Sequence, residues 1–144
     1  MNESELVRAF ESCDPALHSL SHADHLRVAW AYLQREPFGI AGERFCAGLR
    51  RFALSRAVPG LYHATITWAY LALLDESRHV LGAGASFQDV MTRQPGLFDH
   101  RDGTLRKLYG AEQLDSALAR AVFLLPGRGE SIGSPARKAA VDPA

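Results

Sequence analysis

Apolar residues along this chain recur at intervals of three and four, segment after segment, and no stretch alternates apolar and polar residues convincingly. Positions three and four apart share a face of an α-helix, whereas a strand places every second residue on one face. No Asn-Gly pair is present to close a hairpin. The expected fold class is therefore all-α, a compact bundle of four to six helices with short loops. Hydrophobic residues make up 47% and charged residues 22% of the 144 positions, which suits one soluble domain with its own core over residues 1–126. Beyond Pro126, the stretch 127–144 (GRGESIGSPARKAAVDPA) has almost no large apolar residue and is expected to be a disordered tail.

The first helix is predicted over Glu3 to Glu11, with Leu6, Val7 and Phe10 on one side. The second has two plausible starts. Asp14-Pro15 places a capping residue before proline at the first helical position, and Ser21 with Asp24 has capping-box spacing. Either start leads to a helix that runs to about Glu36 and is stopped by Pro37. In IAGERFCAGLRRFALSR a third helix lines up Phe45, Leu49, Phe52 and Ala53, although Gly42 and Gly48 each weaken it by about 1 kcal/mol relative to alanine. A fourth is predicted from about Tyr62 to Ser77. A short helix capped by Ser86 and Asp89 runs to about Thr92, and two more pieces lie near Thr104 to Tyr109 and Glu112 to Leu125.

Several function classes are disfavoured at once. Sixteen basic and sixteen acidic residues cancel and are dispersed, so no field gathers nucleic acid or an anionic membrane. The longest apolar stretch, Ile66 to Leu74, is half of what a bilayer crossing needs. Cys13 and Cys46 are too few and too far apart for a disulfide framework or a C-x-x-C zinc site. The polar start MNESELVRAF lacks the order of a signal peptide, and a cytoplasmic protein is expected. The loop LGAGAS matches neither the dinucleotide nor the Walker glycine spacing, and no H-E-x-x-H is present. Trp30 and Trp68 read as core residues.

What remains is histidine. Three of the six, His18, His22 and His25, fall at spacings of four and three on the stripe that continues through Ala29 and Leu33. Asp24, Arg27, Gln34 and Arg35 occupy the opposite face, so these imidazoles should look into the bundle. There each needs a hydrogen-bond partner or a metal. The fourth helix carries His63, Ile66, Thr67, Tyr70 and Leu74 on its inward stripe. With one helix between them, helices two and four should run parallel and bring their N-terminal ends together, joining His22, His25 and His63 in one site. His18 reads as peripheral, and His79 and His100 carry no signal.

The segments HADHLRVAWAYL and YHATITWAYLALL resemble those of a group of small bacterial proteins with a His-x-x-His-Leu segment followed by Tyr-His-x-Thr-Ile-Thr. The resemblance covers roughly residues 15 to 75, and KLYGAEQLDSALAR extends it. It implies that His22, His25, Tyr62, His63, Thr65 and Thr67 belong to one constellation, and it implies no particular reaction.

The first functional expectation is a small metal-dependent enzyme acting on a small polar molecule. His22, His25 and His63 would hold a divalent transition metal (zinc, iron or copper) with an open position, and Tyr62 or Thr67 would orient substrate or bound water. Zinc would suit hydrolysis or a lyase reaction through an activated water, whereas iron or copper would allow oxygen chemistry. Two alternatives stand beside it. One is a non-enzymatic helical module that binds a small ligand or a partner helix. The other is a metal-free enzyme with His25 or His63 as general base. The same histidines would also serve as structural polar packing, with Thr65 pointing to solvent and Thr67 bonding the carbonyl of residue 63. The partner expected is a small-molecule substrate or ligand, with neither nucleic acid nor membrane, and amphipathic helices of this kind serve a homodimer as readily as a monomer.

Overall fold

Three helices begin where a side chain and a backbone N–H close a capping box on each other. Asn2 with Glu5 opens α1 (Glu3–Ser12), Ser21 with Asp24 opens α2 (His22–Arg35), and Ser86 with Asp89 opens α5 (Phe87–Arg93). Between them lie α3 (Phe38–Ser55) and α4 (Ala64–Leu81), followed by the short α6 (Thr104–Leu108), α7 (Ala111–Leu114) and α8 (Ala117–Ala121). The structure is a computed structural model that describes residues 1–99 and 103–127. Among the described residues there are eight α-helices and no strand, and five of the helices have seven or more residues. The fold is all-α, as the periodicity requires. The tail expected over 127–144, Gly127 apart, and His100 lie outside the described residues.

At the second helix the structure chooses the later start. Residues 14–20 form a turn and irregular chain, and His18 is exposed there, off the helix. The physical reason is competition for carbonyls. A helix begun at Pro15 would need the oxygens of Asp14 and Leu17 for its own ladder. Instead the Arg56 guanidinium takes both through Nη2 at 2.6 Å, and Nη1 reaches the Cys13 carbonyl at 3.4 Å. Leu17 and Leu20 are left to anchor the loop in the core.

Helix α2 is the hub and packs against α1, α3 and α4. Its buried residues run from Leu26 through Leu33 and include Trp30 and Tyr32. Phe10 of α1 stacks on Phe45 and Phe52 of α3 with ring centroids 5.7 and 6.1 Å away. Gly42 and Gly48, costly to helix propensity, have a packing purpose. A Cβ on Gly42 would collide with the Trp68 ring, and one on Gly48 would press on Phe10. We expect Gly42→Ala to lower stability by about 1–3 kcal/mol through overpacking, despite a propensity gain of about 1 kcal/mol. A urea midpoint that rises in the variant would show that the α3–α4 approach does not depend on glycine.

Helix α4 starts two residues later than Tyr62, because His63 is its N-cap, and it runs on to Leu81. It also packs against α5, α6 and α8. The single helix expected over Glu112 to Leu125 is instead broken into α7 and α8. Ser116 caps α8 from within, and the carbonyls of Leu114 and Val122 are bound by side chains of the α4 N-terminus. Thr65 is accordingly fully buried rather than solvent-facing. Its hydroxyl donates to Val122 O at 2.8 Å and accepts from Leu124 N–H at 3.0 Å.

Candidate functional site

The N-terminal turns of α2 and α4 line one cavity of about 480 Å³, within the usual range for small-molecule sites. His22, His25, His63, Thr67 and Tyr70 all contribute to its wall, so five inward-stripe positions converge. The apolar wall is supplied largely by Leu26, Phe45, Leu49 and Leu71. Tyr62 is not part of it. Its hydroxyl accepts from Arg50 Nη2 at 3.2 Å, the guanidinium lies 4.4 Å from its ring centroid, and burial with the Cys46 thiol beside it raises its pKa. Cys46 is itself buried, and burial pushes its thiol up.

The hydrogen bonds fix the ring tautomers, because a backbone carbonyl can only accept. His25 Nδ1 lies 2.9 Å from Ser21 O and must carry the proton, leaving Nε2 as the lone-pair nitrogen. Burial lowers the His25 pKa below its ordinary 6.5, against the Ser21 carbonyl, which supports the charged form. His22 Nε2 donates to Leu97 O at 2.7 Å, and its ring meets that of Tyr70 edge-on at 5.0 Å between centroids. His63 is bound at both nitrogens. Nε2 donates to Leu114 O at 2.7 Å, and Nδ1 accepts the Ile66 N–H at 3.1 Å as the cap of α4.

That double engagement bears on the metal expectation. A coordinating imidazole needs a lone pair, and His63 as placed has given its own to Ile66. Among the described residues no group of three or more His, Cys, Asp and Glu side chains is positioned to hold a metal ion. Thr67 is buried at the cavity wall, and no hydrogen bond to its hydroxyl is found among the described residues. Tyr70 is pushed up to about 12 by burial and by the charge of Asp99, with Arg106 opposing.

The sequence reading did not reach the two arginines of the wall. Arg106 from α6 and Arg120 from α8 complete the cavity. Arg106 Nη2 stands 3.5 Å from Asp115, while Arg120 Nη1 donates to Gly60 O at 2.6 Å and, more distantly, to Tyr62 O. Nothing in their local sequence marks them. Arg120 reaches the site because His63 and Thr65 hold α7, α8 and the chain after them against α4, and Arg106 because α6 packs on α4 directly.

No protein-family model, curated protein or solved structure matches this chain. The class defined by fold and site is an all-α protein with a polar-seamed, small-molecule-sized cavity. Among the described residues no helix is long and apolar enough to cross a membrane.

Proposed function

We propose that the cavity binds a small organic molecule and that His25 takes a proton from it, without a metal. The observation that carries this is the state of His25. Its Nδ1–H is oriented by the Ser21 carbonyl, and burial keeps the ring neutral, so Nε2 offers a lone pair at the wall of a ligand-sized cavity. In the transfer a bond forms from the substrate's proton to Nε2. The bond from that proton to the substrate breaks, with its electron pair staying on the substrate. The Ser21 carbonyl then stabilises the imidazolium through the Nδ1–H bond. Thr67 and Tyr70 supply hydroxyls to orient the bound molecule.

Ring-nitrogen NMR tests this directly. His25 is expected to be the neutral Nδ1–H tautomer at neutral pH and to titrate below 6.5. An Nε2–H tautomer, or a value at or above the ordinary one, would remove the base. The linkage has a definite sign. Because the unfolded chain binds the proton more readily, the stability contributed by neutral His25 is complete above 6.5. It is lost as pH falls through the depressed folded value, and His25→Gln should abolish that loss.

One observation favours a second reading. His22 and His25 each hold one ring N–H against a backbone carbonyl, the arrangement that orients metal-ligating imidazoles. A zinc, iron or copper site would then require His63 to release the Ile66 N–H. Elemental analysis of tag-free protein purified without chelators decides. Near-stoichiometric metal that disappears in a folded His22→Ala variant would replace the metal-free reading.

A further inference from the structure

We infer that the cavity selects a molecule with an apolar body and a single carboxylate head, held by Arg120 with Arg106 beside it. This rests on the cavity being the ligand site proposed above, and it does not require His25 to move a proton.

The charges of the wall point one way. Among the described residues, the only charged ones lining the cavity are Arg106 and Arg120, and no aspartate or glutamate lines it. Arg106 is matched by Asp115 outside the wall at 3.5 Å. Arg120 has no carboxylate partner among the described residues, since its contacts at Nη1 are the uncharged carbonyls of Gly60 and Tyr62. Those carbonyls fix the guanidinium at the cavity, so a ligand meets a positioned cation instead of a freely moving one. A planar guanidinium with donors to spare matches a carboxylate in two parallel hydrogen bonds. One uncompensated positive charge suits a monoanion better than a phosphate dianion.

The remainder of the wall limits the body of the ligand. Leu26, Phe45, Leu49 and Leu71 present an aliphatic and aromatic surface, and a charged group placed among them would lose its hydration without return. The head must therefore lie toward α6 and α8, with the body toward α2 and α3. That orientation brings the body past Thr67 and His25. Asp99 does not line the cavity, and at the Tyr70 hydroxyl its charge is opposed by that of Arg106.

The test compares acids with their uncharged isosteres on the full-length protein. Octanoate and phenylacetate are titrated calorimetrically at low salt and neutral pH beside octanamide and phenylacetamide. At least one acid is expected to bind, with its amide weaker by tenfold or more. Arg120→Gln combined with Arg106→Gln, folded by circular dichroism, is expected to erase the difference. Equal affinity of acid and amide in the wild type, or a preference that survives in the double variant, overturns the inference while leaving the cavity a ligand site. Failure of all four compounds to bind overturns the inference and the ligand-site reading together. A preference retained in His25→Gln supports the inference, even where the NMR result removes His25 as base. Loss of that preference there would assign anion selection to His25 and overturn the role of the arginines.

Discussion

Replacing Arg56 with methionine is expected to destabilise the protein by about 3–5 kcal/mol, since hydrogen bonds to a charged group contribute roughly 1.5–3 kcal/mol each. The guanidinium donates to the carbonyls of Asp14, Leu17 and Cys13, and its Cζ lies 4.5 Å from the Phe52 ring centroid. Methionine keeps a stem over Phe52 and removes every donor. The Leu17 oxygen then has water or nothing, and the Asp14 oxygen keeps only the Leu17 N–H at 2.9 Å, because the chain around them is committed to a loop. Arg56→Lys should fall between, since one ammonium cannot reproduce a planar fork spanning two sites. Urea unfolding followed by circular dichroism gives the magnitude, and hydrogen exchange should show residues 14–20 opening first. A loss below about 1 kcal/mol, typical of an exposed pair, would mean that solvent satisfies those carbonyls as well as Arg56 does.

Arg56 also marks where local sequence stops being informative. Ser21-Asp24 and Asp14-Pro15 are both good helix starts, and what separates them is a side chain some forty residues downstream. The bundle itself was legible because period and capping act within a few residues. Leu6, Val7 and Phe10 share a face in the sequence and are buried in the fold, and the Ser86–Asp89 box forms as its spacing requires. The convergence of His22, His25, His63, Thr67 and Tyr70 on one cavity was also within reach, since it needs only two inward stripes and a parallel pair of helices. Thr65 went the other way. A threonine early in a helix reads as solvent-facing, and only the return of residues 122–124 onto α4 turns it into a buried clasp. Arg120 depends on that same return and Arg106 on the packing of α6 against α4, so no pattern in their own segments could place them at the cavity.

The second large effect is expected at His63 and separates its structural part from a metal-binding one. His63→Ala should cost about 1.5–5 kcal/mol: roughly 0.5–2 for the lost cap of α4 and roughly 1–3 for a Leu114 carbonyl left without its donor. His63→Asn should recover the cap, because asparagine is among the best capping residues, but its shorter amide should not span to Leu114. Asparagine is therefore expected to sit between wild type and alanine in stability, while both variants loosen α7 and α8 and with them the wall that carries Leu114 and Arg120. Thermal unfolding gives the ranking, and hydrogen exchange at residues 111–121 reports the loosening. If His63 were instead a ligand, asparagine and alanine would fall together, and the deficit would track metal content rather than the cap. Equal stability of the two variants in metal-free protein would overturn the capping account. One of the three histidines that the sequence offers as ligands is thus expected to act through the backbone, closing the first turn of α4 with one nitrogen and holding the cavity's far wall with the other.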